Sequence, residues 1–162
     1  MPLSPSDLVE VKWVPGKGRG VFATQQIRRN TLIERVPVLV VPAGEILDDE
    51  ADTALAHYVF EWGENTVAVA LGYGSLYNHS YSPNARYDDE GRQTKCYYAV
   101  RDIAPGEEIT INYNGESDAK DPVWFDVIEG ETQKKPTRKT STVNGRKVRN
   151  SRKRRSTRSN RA

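Results

Sequence analysis

The side chains best equipped for chemistry in this chain are Asn78, His79, Ser80 and Asn84, in the segment Leu76-Tyr77-Asn78-His79-Ser80-Tyr81-Ser82-Pro83-Asn84. They gather amide, imidazole and hydroxyl groups in one place, and Pro83 stiffens the exit. The same residue types would also serve an ordinary turn. Two further segments set this one apart. Upstream stands Gly18-Arg19-Gly20-Val21-Phe22, the end of the loop Pro15-Gly16-Lys17-Gly18-Arg19-Gly20. Glycines there let another molecule or strand come close, but their spacing is not that of a dinucleotide fingerprint. Downstream stands Gly106-Glu107-Glu108-Ile109-Thr110-Ile111-Asn112-Tyr113.

The elements that must position these segments are short. Leu8 to Val14, Val21 to Thr24, Leu32 to Val36, Val38 to Val41, Thr66 to Leu71, Lys95 to Val100 and Ile109 to Tyr113 read as strands. Gly and Pro punctuate them, as in Gly72-Tyr73-Gly74 and Pro105-Gly106. Residues 43 to 62 are the helical candidate. Asp52-Thr53 would cap a segment in which Leu55, Tyr58, Val59 and Trp62 recur at helical spacing. The expected fold class is mostly β with little helix.

Composition divides the chain in two. Its net charge is +2, and the single cysteine, Cys96, allows neither an intramolecular disulfide nor a cysteine-built zinc site. Residues 1 to 133 hold 11 Lys plus Arg against all 22 Asp plus Glu, a balance of −11. The other 13 basic residues fall in 134 to 162 with no acid, a balance of +13. That stretch holds only Val143 and Val148 as sizeable apolar residues, so a disordered tail is expected over 132–162, after a folded domain over 8–128. No apolar run reaches transmembrane length, and Met1 to Asp7 lacks the regions of a signal peptide. An intracellular setting is expected, nuclear or nucleoid-associated in view of Arg152-Lys153-Arg154-Arg155.

Taken in order, the three segments resemble the signature blocks of the SET-domain protein lysine methyltransferases, and the likeness spans roughly residues 10 to 126. The resemblance implies a β-clip-like fold of several small sheets, a short helical insert, and a C-terminal pseudoknot near Tyr113. It implies S-adenosylmethionine as cofactor. Lys17, Gly18, Arg19 and Gly20 would hold its methionine part, Asn78 and His79 its amino group and adenine, and Trp124 would stack on the adenine. Tyr113 matches the family's active-site tyrosine. Tyr77, Tyr87 and Tyr97 match positions of the channel that admits the substrate lysine, whereas Tyr98 reads as core and His57 as incidental. No metal is implied.

That chemistry is an in-line displacement, for which alignment of two reactants contributes about 7–11 kcal/mol. The amine must be neutral, and a channel of apolar ring faces disfavours its charged form. The chain departs from many family members in lacking the cysteine cluster that completes this channel, which leaves Trp124-Phe125 to close it. Asn112 before Tyr113 is a minor departure. The expected partner is a protein with a basic, lysine-bearing segment, and the domain's negative charge suits it. The competing reading is a nucleic-acid-binding protein that acts through its basic tail, with the domain as scaffold.

Overall fold

Side-chain alternation along short apolar runs builds nearly all of the regular structure. The computed structural model describes residues 6–47 and 53–129. Among these lie β1 (Val9–Val14), β2 (Gly18–Ala23), β3 (Leu32–Pro42), β4 (Val59–Glu61), β5 (Thr66–Ala70), β6 (Asn78–His79), β7 (Ala85–Asp89), β8 (Thr94–Ala99) and β9 (Glu108–Ile111). The described residues contain three short 3₁₀ turns and no α-helix, so the fold is mostly β. One sheet runs β1-β2-β9-β6 and the other β4-β5-β3-β8-β7.

Period two explains the core. Ile109 and Ile111 of β9 are fully buried, while Glu108 and Thr110, which alternate with them, face the other way. Val21 and Ala23 of β2 join them, and Ile27 bridges to Ile103 beside them. Burial of each such aliphatic side chain contributes about 1.5–3 kcal/mol. The same alternation sorts β7 and β8. Tyr87 lies opposite Tyr97 and Asp89 opposite Lys95, so these four share one face. Arg86 and Tyr98 share the other, with the guanidinium 5.1 Å from the ring centroid. Tyr98 is therefore half-buried on the outer face and not part of the core, contrary to its sequence reading.

Leu32 to Val41 was expected as two strands, but β3 is continuous through Pro37. The proline falls where the strand changes partners. Its residues up to Pro37 pair with β8, and those from Val38 pair with β5. A residue without an N–H is tolerated at such a handover, and the Pro37 carbonyl still accepts from Leu71 N–H at 3.0 Å.

The helical candidate also needs correction. Ala43–Glu45 and Ala54–Tyr58 are 3₁₀ turns, and Val59 opens β4, which pairs with β5. Val59, Phe60 and Glu61 find ladder partners in Val69, Ala68 and Val67, and those bonds override a weak helical period. The Thr53 hydroxyl donates to Ile46 O rather than capping a helix. Asp52 and the expected tail over 132–162 lie outside the described residues.

The loop before β2 is shorter than expected, because pairing with β1 begins at Gly18 opposite Val14. Gly18 has φ +82°, a left-handed conformation that glycine adopts without strain. Gly20 is glycine for want of room. A Cβ there would lie 2.7 Å from Glu108 Oε1 and 2.9 Å from both Asn78 Nδ2 and Val14 Cγ2.

Candidate active site

The three blocks meet where β2, β6 and β9 lie side by side. β9 runs antiparallel to β2 and parallel to β6, which sets Asn78 beside Thr110 and His79 beside Ile111. Asn84 locks this arrangement. Its buried amide donates to Glu108 O (2.8 Å) and Glu107 Oε1 (3.0 Å), and its Oδ1 accepts from Thr110 N–H (2.8 Å). Asn84 is thus a clamp between the second and third blocks, not a group free for chemistry.

A cavity of about 410 Å³ opens over this junction. Lys17, Arg19, Asn78, His79, Tyr113 and Trp124 line it, so six sequence-predicted residues come together. Gly18 and Gly20 do not line it but shape the loop and strand that do. Glu108 organises two of the lining residues. Its Oε1 accepts from Asn78 Nδ2 at 2.7 Å, and its Oε2 pairs with Lys17 Nζ at 3.3 Å. Glu108 was not singled out from sequence, although it alternates with buried Ile109 and so had to face the loop.

His79 has a specific state. Its Nδ1 accepts from Tyr113 N–H at 3.1 Å, so the ring proton resides on Nε2. That Nε2 is buried and has no hydrogen-bond partner. Burial holds the imidazole's pKa below 6.5, partly offset by Glu129. Tyr81, Tyr113 and Phe125 surround the ring at centroid distances of 4.6, 5.2 and 6.0 Å. The neutral imidazole thus carries one buried donor without a partner at the cavity wall.

A second cavity, of about 580 Å³, adjoins the first. Tyr77, Tyr87, Tyr113, Phe60 and Trp124 give it aromatic walls, and Glu61, Asp89, Lys95 and Asp121 add charge. Tyr113, Tyr58, His57, Ser75 and Trp124 line both cavities. His57, read as incidental from sequence, therefore stands at the junction. Tyr97 does not line the second cavity. It is fully buried, stacks on Tyr77 at 4.4 Å and donates to Gly74 O at 2.8 Å. Tyr77 spends its hydroxyl on buried Glu34 at 3.0 Å, so it offers the cavity its ring. Glu34 has its pKa raised by burial.

Tyr113 stands where the cavities meet. Its hydroxyl donates to Tyr77 O at 2.9 Å, and its ring stacks on Trp124 at 6.1 Å. Burial, with lesser contributions from Tyr58 and Glu108, pushes its pKa up to about 12, so it is a neutral phenol at ordinary pH. Its hydroxyl is a neutral dipole fixed by that bond.

The segment after β9 reaches these cavities without regular structure of its own. Asn112 Nδ2 donates to Ala119 O and Asn114 Nδ2 to Asp121 O, both at 2.8 Å. Tyr81 OH donates to Asp121 O, the Tyr81 carbonyl accepts from Lys120, and Glu129 accepts from Ser80 Oγ (2.7 Å) and Tyr81 N–H (2.9 Å). Asn112 is thus an anchor for the segment that carries Trp124 and Phe125, a larger role than sequence suggested. Among the described residues no cluster of His, Cys, Asp and Glu is suited to a metal ion.

Comparison with known proteins converges on one family. The SET domain family profile matches residues 18–114. A Schizosaccharomyces pombe histone-lysine N-methyltransferase, specific for lysine 37 of histone H3, is 35% identical over 119 residues, covering 73% of this chain and 77% of the relative. A Cryptococcus neoformans histone-lysine N-methyltransferase, specific for lysine 36 of histone H3, is 31% identical over 116 residues. The match covers 65% of this chain but only 14% of that longer protein. Among solved structures, a Plasmodium falciparum protein assigned as a histone methyltransferase superposes with a TM-score of 0.56 at 29% identity, covering 68% of this chain and 95% of that one.

Proposed function

This chain belongs to the SET-domain family and is a protein-lysine N-methyltransferase, and we propose that it uses S-adenosylmethionine to methylate a basic, histone-type protein. The observation that carries this reading is the pair of cavities sharing Tyr113. Methyl transfer between two bound molecules needs two compartments that touch at one point, and a fixed polar group there.

The residues of the first cavity fit the donor. Its volume lies in the range of cofactor pockets. His79 Nε2–H offers a hydrogen bond to an acceptor nitrogen of the adenine, and Trp124 and Phe125 offer rings to the base. Lys17 and Arg19 supply positive charge for the carboxylate of the methionine part. Asn78, held by Glu108, keeps its carbonyl oxygen for the amino group. When bound, the donor supplies an electrophilic methyl group on a sulfonium.

The second cavity receives the target lysine. The rings of Tyr77, Tyr87 and Phe60 disfavour its charged form and so favour the nucleophilic amine. Tyr113 donates its proton to Tyr77 O, which leaves its oxygen lone pairs to accept an N–H of the amine and aim the nitrogen. Glu61 and Asp121 attract the basic flanks of the substrate. The names of the relatives, both acting on histone H3, support a histone-type substrate and a nuclear setting.

The test is incubation of the full chain with S-adenosylmethionine and recombinant histone H3, followed by intact-mass spectrometry. Methyl increments on H3 that require the donor are expected. Calorimetry should show one donor site per chain, and absence of donor binding would overturn the reading.

A further inference from the structure

The second cavity already contains a lysine of the chain itself. Lys95 of β8 has only 1% of its side chain exposed. Its Nζ lies 4.3 Å from the ring centroids of Phe60 and Tyr87, and 5.2 Å from that of Trp62. It pairs with Asp89 Oδ1 at 2.5 Å, opposite it on β7. Rings on three sides and a carboxylate on the fourth form a complete cation site. Burial lowers the pKa of Lys95, and the bond to Asp89 offsets this only in part.

The charges around this cavity show what the resident cation does. Glu61 of β4, Asp89 of β7 and Asp121 of the C-terminal segment bring carboxyl groups, and His57 and Tyr58 stand before β4. Tyr77, Tyr87 and Tyr113 add phenols whose pKa burial raises, those of Tyr87 and Tyr113 to about 12. Lys95 is the only Lys or Arg among the residues lining this cavity. An unpaired carboxylate near the target amine would bind it as an ammonium and hold it in its unreactive form. Resting on the reading of this cavity as the amine's compartment, we propose that Lys95 is a positioning residue that occupies Asp89 and so keeps that carboxylate from pairing with the substrate ammonium.

The role gives signatures that a merely structural role would not. Lys95→Met keeps an apolar chain among the rings but frees Asp89. It should bind the charged substrate more tightly and turn it over more slowly, lowering KM and kcat together. With recombinant histone H3 as substrate, the acid limb of the rate–pH profile should move up by about one pH unit. Asp89→Asn should move that limb down, because Lys95 is then an unbalanced cation. Lys95→Arg should keep the wild-type limb, and the Lys95→Met/Asp89→Asn double variant should return close to it. Asp89 is half-exposed, so its variant decides the matter even if Lys95→Met fails to fold.

A donor-free measurement separates this inference from the proposed substrate. n-Butylammonium carries only the end of a lysine side chain, and Trp62 and Trp124 report on its binding. At pH 7, Lys95→Met should bind it about tenfold more tightly than wild type does. If wild type leaves H3 unmethylated, the substrate reading falls while this comparison still decides the role of Lys95. An acid limb unmoved in Lys95→Met and Asp89→Asn alike would overturn the role. So would n-butylammonium affinity no higher in Lys95→Met than in wild type.

Discussion

The two cavities are built on opposite principles. The first holds an unsatisfied polar group, since His79 Nε2 is buried without a partner. The second is walled by rings, and its buried charge is satisfied, since Lys95 has both its carboxylate and its cage. An unsatisfied donor costs free energy until a ligand arrives, so it marks where binding energy is to be gained. An ion pair already made in an aromatic wall leaves Asp89 little to offer an ammonium, which suits the proposed amine compartment. On the proposed reading, the difference prepares one compartment to bind the donor and keeps one carboxylate of the other from the amine.

The largest expected effect comes at the residue common to both. Tyr113→Phe removes the hydroxyl that rests on Tyr77 O while keeping the ring against Trp124. Turnover should fall by about 100-fold, with donor affinity nearly unchanged by calorimetry. Wild-type turnover in that variant would show that the junction needs only a ring.

Glu108→Ala tests the binding side alone. It frees Asn78 and Lys17 from the carboxylate that orients both. Donor affinity should fall by about tenfold, equivalent to one lost buried bond, with little change in the KM for histone H3. An equal loss on both substrates would erase the distinction between the compartments.

Trp124→Ala should be milder, because the indole is 66% exposed and contacts Tyr113 and Phe125 from outside. Donor affinity should fall about fivefold, near the 1 kcal/mol of one ring contact, with thermal unfolding unchanged. A large drop in stability would instead make the indole part of the fold.

The smallest effect is a pH dependence. The folded-state pKa of His79 lies below the ordinary 6.5, chiefly through burial, so the unfolded chain binds this proton more readily. The contribution of neutral His79 to stability is full above pH 6.5 and is lost as the pH falls below it. Protonation would also give Nδ1 a hydrogen and break its bond from Tyr113 N–H. Chemical unfolding and donor titration should both weaken in that acid range. A donor affinity that strengthens there would reverse the assigned tautomer.

The sequence alone was enough to single out six of the residues that line the first cavity. Lys17, Arg19, Asn78, His79, Tyr113 and Trp124 stand in or after short motifs that are legible locally, while the pairing of β2, β6 and β9 brings the three blocks to one cavity. The sequence was enough for most strands too, since their apolar runs are local. It misjudged residues 43 to 62, where a weak helical spacing yields to the ladder that Val59–Glu61 forms with β5. The second cavity depends on pairings that no local pattern encodes. Phe60 and Trp62 meet Lys95 only because β4, β5, β3 and β8 are neighbours in one sheet. Tyr87 and Asp89 meet it only because β7 pairs with β8 in one register, and a slip of one residue would turn Lys95 to the outer face and Tyr98 to the inner one. Glu108 likewise became an organiser only once β9 lay between β2 and β6. Residue types and short spacings decide which groups are available. Register and strand order decide which of them touch, because hydrogen bonds between distant segments, not the spacing within one, set those distances.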